Sequence, residues 1–260
     1  MGRMKKLGGM RIVSLAPSVT SILLSLGVGR ELVGVSRWCK DVAEVGARPA
    51  VGDCWKLDMQ EVMRLRPSIL IGSVPFAAET VQKILAEPVA FLAINPRSLA
   101  DIYSDVWTLG RLVDRGRAAE LLIRKMRAGL AEVAREARRR GASRRVRVYC
   151  EAWPKPRISS PPWVAELVEI AGGKMVVSTG SGVTDEEVAR AAPELIVLAW
   201  AATGGRAKVS GALRNSAWRD VPAVRNGRVV VIRDELLNTP GPPLVAGARE
   251  LVRAIQETAC

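Results

Sequence analysis

The chain has 260 residues, 48% of them apolar, and sets 39 Lys and Arg against 26 Asp and Glu, a formal charge of +13 with no histidine to add to it. That length admits one large domain or two lobes of roughly 100–150 residues, and no apolar run approaches the ~18–20 residues that a membrane-spanning helix needs. The four cysteines, at 39, 54, 150 and 260, have no CxxC spacing and no His partner, which argues against a structural zinc site and leaves free thiols as the simpler reading of Cys39 and Cys54.

The start, MGRMKKLGGMRIVSLAPSVTSILLSLGVG, imitates a secretory signal, but Pro17, Ser18, Thr20 and Ser21 interrupt its apolar region. It reads better as a strand over 11–15 feeding a helix over 17–26 that Gly27 and Gly29 close, followed by a strand over 32–36. The expectation is therefore a cytoplasmic protein, or one of the cell envelope or exterior if its N-terminus has been trimmed. This βαβ unit implies a parallel sheet with a right-handed crossover. A helix stopping before Pro67, a strand over 69–71, a helix over 77–85 and a strand over 89–94 complete an α/β lobe.

From Ser98 the pattern turns helical, with a break predicted at 114–116. The second part, about two dozen residues at ~1.5 Å each, predicts a rod of ~36 Å. The run REARRRGASRRVR over 135–147 sits at its end, where cations suit the helix dipole. Strands resume at Val146. The segment YCEAWPKPRISSPPW over 149–163 holds four prolines and two tryptophans, so it cannot be helix and predicts an ordered irregular loop.

The second half repeats the first. LDMQEVMRLRPSILIGS (57–73) matches VTDEEVARAAPELIVLA (183–199) at an offset of 126, pairing Glu61 with Glu187 and Pro67 with Pro193. LLSLGVGRELVGVS echoes LVEIAGGKMVVS with a shorter link. The reading is an α/β fold of two similar lobes with parallel sheets, at 1–97 and 144–260, joined through 98–143 by one long backbone helix, with a ligand cleft between them.

RIVSLAPSVTSILLSLGVGRELVGVS, VGDCWKLDMQEVMRLRPSILIG, WVAELVEIAGG and WRDVPAVRNGRVVVI, in that order along the chain, resemble the helical-backbone substrate-binding proteins of ABC transporters, and among them the cobalamin-binding branch. The resemblance implies a rigid, non-catalytic clamp for one large ligand, with an acidic residue on each lobe that docks on a permease. Glu79 fits the first of these carboxylates. Its counterpart at the 126-residue offset is Gly205, flanked by Arg206 and Lys208, so the second anchor is missing.

Ligands of open α/β lobes meet the loops at the carboxyl ends of the parallel strands. Five of the seven tryptophans fall there: Trp38, Trp55, Trp153, Trp163 and Trp200; Trp107 and Trp218 fall elsewhere. Broad apolar faces with single N–H donors suit a flat macrocycle with amide edges, such as a corrin. Without histidine, cobalt would keep its own base or a solvent ligand, and His-ligated heme is excluded. Cys39, beside Trp38, could in principle ligate a metal, but a thiolate needs a depressed pKa that nothing in the sequence guarantees, and the expectation is no bound metal.

The candidate ligand set is Ser14, Pro17, Ser18, Trp38, Cys39, Trp55, Phe76, Trp153, Pro154, Trp163, Trp200, Arg206 and Arg233. Ser14, Ser18 and Thr20 offer hydroxyls or helix amides, with plain helix capping as the alternative for Ser18. Arg206 and Arg233 would meet phosphate or propionamide edges. Glu151 reads as a rim residue. No nucleophile–base pair, nucleotide loop or metal cluster points to an enzyme.

The expectation is a monomeric, non-catalytic protein that binds cobalamin or a related corrinoid. Two alternatives stand: a ferric siderophore or heme binder of the same fold, and a basic nucleic-acid-binding protein, which the charge fits but no recognisable module accompanies.

Overall fold

The computed structural model describes residues 9–139, 145–201, 203 and 205–259. Two compact units divide the chain, one comprising residues up to Asn95 with Tyr103–Ile123, the other Pro96–Ile102 with the residues from Arg124 onward.

In the first unit, β1 (Ile12–Ser14) leads into α1 (Pro17–Ser25), β2 (Leu32–Val35), α2 (Met59–Arg64), β3 (Ile69–Ser73), α3 (Ala78–Leu85) and β4 (Ala90–Ile94). The four strands form one parallel sheet in the order β2-β1-β3-β4. The central strand β1 is buried along its whole length, as a parallel strand covered on both faces must be. Pro17 starts α1 at a position whose amide would have no helical partner, and Gly27, at φ 77°, lets the chain leave it. Val13, Leu15, Val51, Leu57, Val62, Leu70 and Ile84 make the core of this lobe.

Two helices follow, α4 (Leu99–Leu112) and α5 (Gly116–Arg139), and Asp114 at φ 56° makes the predicted break between them. The 24 residues of α5 pass from the first unit into the second after Ile123. Its buried stripe is Ala119, Met126, Leu130 and Val133, whereas Arg135, Arg138 and Arg139 face water. The rest of the basic run, residues 140–144, lies outside the described residues.

The second unit contains β5 (Val146–Pro154), β6 (Arg157–Ser159), α6 (Trp163–Ile170), β7 (Gly173–Met175), α7 (Asp185–Ala191), β8 (Leu195–Leu198), α8 (Val209–Leu213), α9 (Pro222–Arg225), β9 (Val229–Val231), α10 (Asp234–Leu237) and α11 (Leu244–Ala259). Its parallel strands run β7-β5-β8-β9, the order of the first sheet, with β6 added antiparallel on β5.

The internal repeat reaches the backbone. Asp58 caps α2 through the amides of Gln60 and Glu61, and Thr184, 126 residues on, caps α7 in a reciprocal capping box with Glu187. Arg66 and Ala192, also 126 apart, both take left-handed conformations, at φ 47° and 45°. Each precedes a proline that disfavours the right-handed helical region, so the chain turns out of the helix there despite the Cβ penalty.

One expectation is corrected. The proline-rich segment over 149–163 is a β-hairpin at its start, with Trp153 opposite Ile158 and Pro154 opposite Arg157. Pro154 ends its strand and Pro156 lies in the turn, so neither ring removes an N–H that the ladder needs.

Candidate functional site

Each lobe presents its own cluster of aromatic and charged side chains on the loops that leave the carboxyl ends of its strands. In the first lobe the centre is Asp53, only 6% exposed, in the long loop after β2. Gly52 makes the approach possible at φ 101°, and a Cβ there would stand 2.3 Å from the Lys56 carbonyl oxygen. The amides of Trp55 and Lys56 both donate to Asp53 Oδ1 at 2.9 Å. The Trp38 indole N–H donates to Oδ2 at 3.1 Å, and Arg37 Nε lies 3.2 Å from the same oxygen. One carboxylate thereby orients the Trp38 ring and shapes the turn from which Trp55, 62% exposed, stands out.

In the second lobe the centre is Glu151, 1% exposed, on β5. Trp200, just past β8, donates its indole N–H to Oε1 at 2.8 Å, while the Tyr149 hydroxyl donates to Oε2 at 3.0 Å and Arg157 pairs with the same oxygen. The other amine of Arg157 meets Asp185 Oδ1 at 2.8 Å, and its guanidinium lies over the Trp218 ring, 4.2 Å from the centroid. Asn215 also donates to Asp185 Oδ1, at 2.9 Å. A buried carboxylate is costly unless its oxygens are satisfied, and here Oε1 accepts from Trp200 while Oε2 meets Tyr149 and Arg157. Burial, and after it the charge of Glu151, pushes the Tyr149 phenol well above its ordinary pKa, so it stays a donor. The hairpin tip carries Trp153, 40% exposed, whose indole N–H donates to the Lys155 carbonyl at 2.9 Å.

Several predicted ligand residues are packed or hydrogen-bonded within their own lobes. Ser14 is buried, donates to the Ala16 carbonyl and accepts from Thr20, because β1 turns it into the lobe. Ser18 is buried in the first turn of α1, whose N-cap is Ala16, so it neither caps nor faces out. Phe76 packs edge-on against Phe91, 5.4 Å between centroids, over the glycine at 72. Trp163 is 7% exposed with its indole N–H on the Leu237 carbonyl at 2.9 Å, which commits it to the core.

Cys39, in the predicted ligand set, is fully buried among Thr20 and Ser36, and burial raises its pKa. Glu151 is no rim residue but the buried centre just described. Trp38, Trp55, Trp200, Arg206 and Arg233 lie in loops that follow strands, Pro17 opens α1, and Trp153 and Pro154 end β5 at the hairpin, with Arg233 paired to Glu235 at 3.2 Å. Glu79 is exposed on α3 and paired with Lys83 at 2.6 Å, whereas Gly205 is followed by the exposed cations Arg206 and Lys208.

Sequence reasoning passed over Asp53 as a centre and missed the partnership of Glu151 with Arg157. The available signal was a carboxylate inside an apolar run, in GDCW and VYCEAW, where a lone acid needs a partner. Among the described residues no group of three or more His, Cys, Asp or Glu could hold a metal, and no helix is long and apolar enough to cross a membrane.

The thiols give a direct check of this packing. Burial, and then the charge of Asp53, pushes Cys54 up to about 11, which favours the neutral form. Iodoacetamide at pH 8 should label Cys54 on the order of a hundredfold more slowly than an unfolded cysteine, with the rate rising towards pH 11. Peptide mapping after timed quenching reads this, and fast labelling at pH 8 would show the loop around Asp53 to be open.

A parallel-sheet lobe, a second lobe of like strand order and a long helix shared between the two define a two-lobed substrate-binding protein of the helical-backbone class (class III). The chain belongs to the periplasmic binding protein family, whose profile matches residues 12–236. Proteins of this family are non-catalytic and carry small-molecule ligands for ABC transporters.

Among its relatives, the uncharacterized ABC transporter substrate-binding lipoprotein YvrC of Bacillus subtilis strain 168 is 25% identical over 255 residues, 94% of this chain and 79% of that protein. The vitamin B12-binding protein of Vibrio parahaemolyticus is 22% identical over 240 residues, 89% of this chain and 84% of that one. In fold, the chain matches the periplasmic heme-binding protein RhuT of Roseiflexus sp. RS-1 with a TM-score of 0.82 at 24% identity, covering 97% of this chain and all of that one.

Proposed function

We propose that this protein binds a corrinoid, cobalamin or a relative, and delivers it to an ABC permease without chemistry of its own. The observation that carries the reading is the pair of exposed indoles, Trp55 and Trp153, each displayed at the carboxyl edge of its lobe. An apolar ring left in water on a rigid loop is a ready surface for a flat macrocycle.

Relatives of this fold are named for two such ligands, vitamin B12 and heme. Heme held by protein takes an axial His, Cys thiolate, Met or Tyr. This chain has no His, Cys39 and Cys150 are buried thiols with raised pKa, and Tyr149 is spent on Glu151, which leaves Cys54, Tyr103 and the methionines as the axial candidates for heme. Cobalamin brings its own axial base, so the same scarcity of ligands costs it nothing. Glu79 supplies one carboxylate for permease docking.

Titration with hydroxocobalamin or cobinamide should quench tryptophan emission and raise the melting temperature, since a ligand of the native state stabilises it by mass action. Hemin and a ferric siderophore, run in parallel, are expected to do neither. A response to hemin alone, or none to corrinoids far above micromolar concentration, would overturn the assignment.

A further inference from the structure

The two lobes solve one problem in the same way on strands that the internal repeat does not match. Asp53 follows β2, and Glu151 lies on β5, the counterpart of β1 in the sheet order. Yet each is a buried carboxylate that accepts one indole N–H, from Trp38 or Trp200, and pairs with one arginine, Arg37 or Arg157. Each also holds the segment that displays a second, more exposed tryptophan. Asp53 does so through the amides of Trp55 and Lys56; Glu151 does so through Arg157, which is opposite Pro154 in the hairpin.

A two-stranded hairpin is marginal by itself, and so is a turn around a left-handed glycine. Backbone bonds from neighbouring segments hold parts of these tips, Ala77 N–H on the Cys54 carbonyl and Val183 N–H on the Arg157 carbonyl, and in each lobe a buried carboxylate adds a charged hold. Neutral acceptors would satisfy the indoles equally well. What the charge adds is a strong hold on arginine and on backbone amides, which fixes where the loop goes.

We infer that Asp53 and Glu151 are positioning residues that set the Trp38/Trp55 and Trp153/Trp200 surfaces before ligand arrives. The inference rests on the corrinoid reading only for the ligand used as probe. Preset rings spare the binding step the ordering of one or two side chains and their loop, which corresponds to about tenfold in affinity per lobe.

The test has two arms. Without ligand, amide hydrogen exchange in Asp53→Asn should quicken about tenfold at residues 54–57, and in Glu151→Gln at 153–159, with the strands of each lobe unchanged. Arg157→Lys, which keeps the charge but not the planar fork, provides a second variant for the hairpin should Glu151→Gln fold poorly.

With hydroxocobalamin, each carboxamide variant should bind about tenfold more weakly than wild type. That loss should shrink to less than threefold when Trp55 (for Asp53→Asn) or Trp153 (for Glu151→Gln) is already alanine, because the carboxylate acts through that ring. Unchanged exchange at the tips, or a loss that persists in full in the alanine backgrounds, would show these carboxylates to be structural only. If wild type itself ignores hydroxocobalamin, the ligand assignment falls and the exchange arm alone decides the positioning role.

Discussion

Trp218→Ala is expected to cost the second lobe about 3–5 kcal/mol, the usual range for deleting a large aromatic from a packed core. Trp218 is fully buried and meets Tyr149 edge-on with 6.2 Å between centroids. Its indole N–H also donates to the Asp185 carbonyl at 3.2 Å. Alanine would remove the ring from beneath the Arg157 guanidinium as well, so the cavity opens beside a buried ion pair rather than among freely collapsing aliphatics. Guanidinium unfolding followed by circular dichroism should show a lower midpoint with an unchanged slope for this lobe. A loss below about 1.5 kcal/mol would mean that Ile196, Leu198 and Val221 close the gap, and that the core is softer than its burial implies.

The order of elements was legible because it depends on local rules. Apolar runs bounded by Gly or Pro gave β1 to β4, the glycines and Pro17 bracketed α1, and the offset of 126 aligned the segments in which Asp58 and Thr184 prove to be helix caps. Even the left-handed Arg66 and Ala192 are foreshadowed by the prolines after them.

The sites were legible only as neighbourhoods. Position at a strand's carboxyl end singled out Trp38, Trp55, Trp153 and Trp200, which keep part of their surface exposed, but the same rule enrolled Trp163, Ser14 and Cys39, which are buried. Which way a side chain points depends on the pleat and on helix phase, and one residue of shift reverses it. The partnerships were further out of reach. Glu151 finds Trp200 49 residues away, and Trp163 finds the Leu237 carbonyl 74 residues away. Such pairings are set by sheet order, which no local pattern states. The hairpin was misread for a different reason: four prolines were weighed as a composition, whereas their effect depends on whether each replaces an N–H that the ladder uses.

Trp153→Ala is expected to weaken corrinoid binding by about 2 kcal/mol, or roughly thirtyfold, while changing the stability of the fold by less than about 1 kcal/mol. The asymmetry follows from its surroundings. Its ring is 40% exposed and its one hydrogen bond closes a local turn onto Lys155, so little of the lobe leans on it. Trp163, ten residues later in the same proline-rich segment, should behave in the opposite way, with a large loss of stability and affinity unchanged where the lobe is still folded. Isothermal titration with hydroxocobalamin alongside thermal unfolding separates the two. If both variants lose stability and neither loses affinity, the exposed indole of the hairpin is not a ligand surface and the corrinoid assignment loses its main support. The two residues share a segment and a residue type but differ in burial and in the reach of their one indole bond, local to Lys155 for Trp153 and 74 residues away at Leu237 for Trp163, which is why their losses should separate.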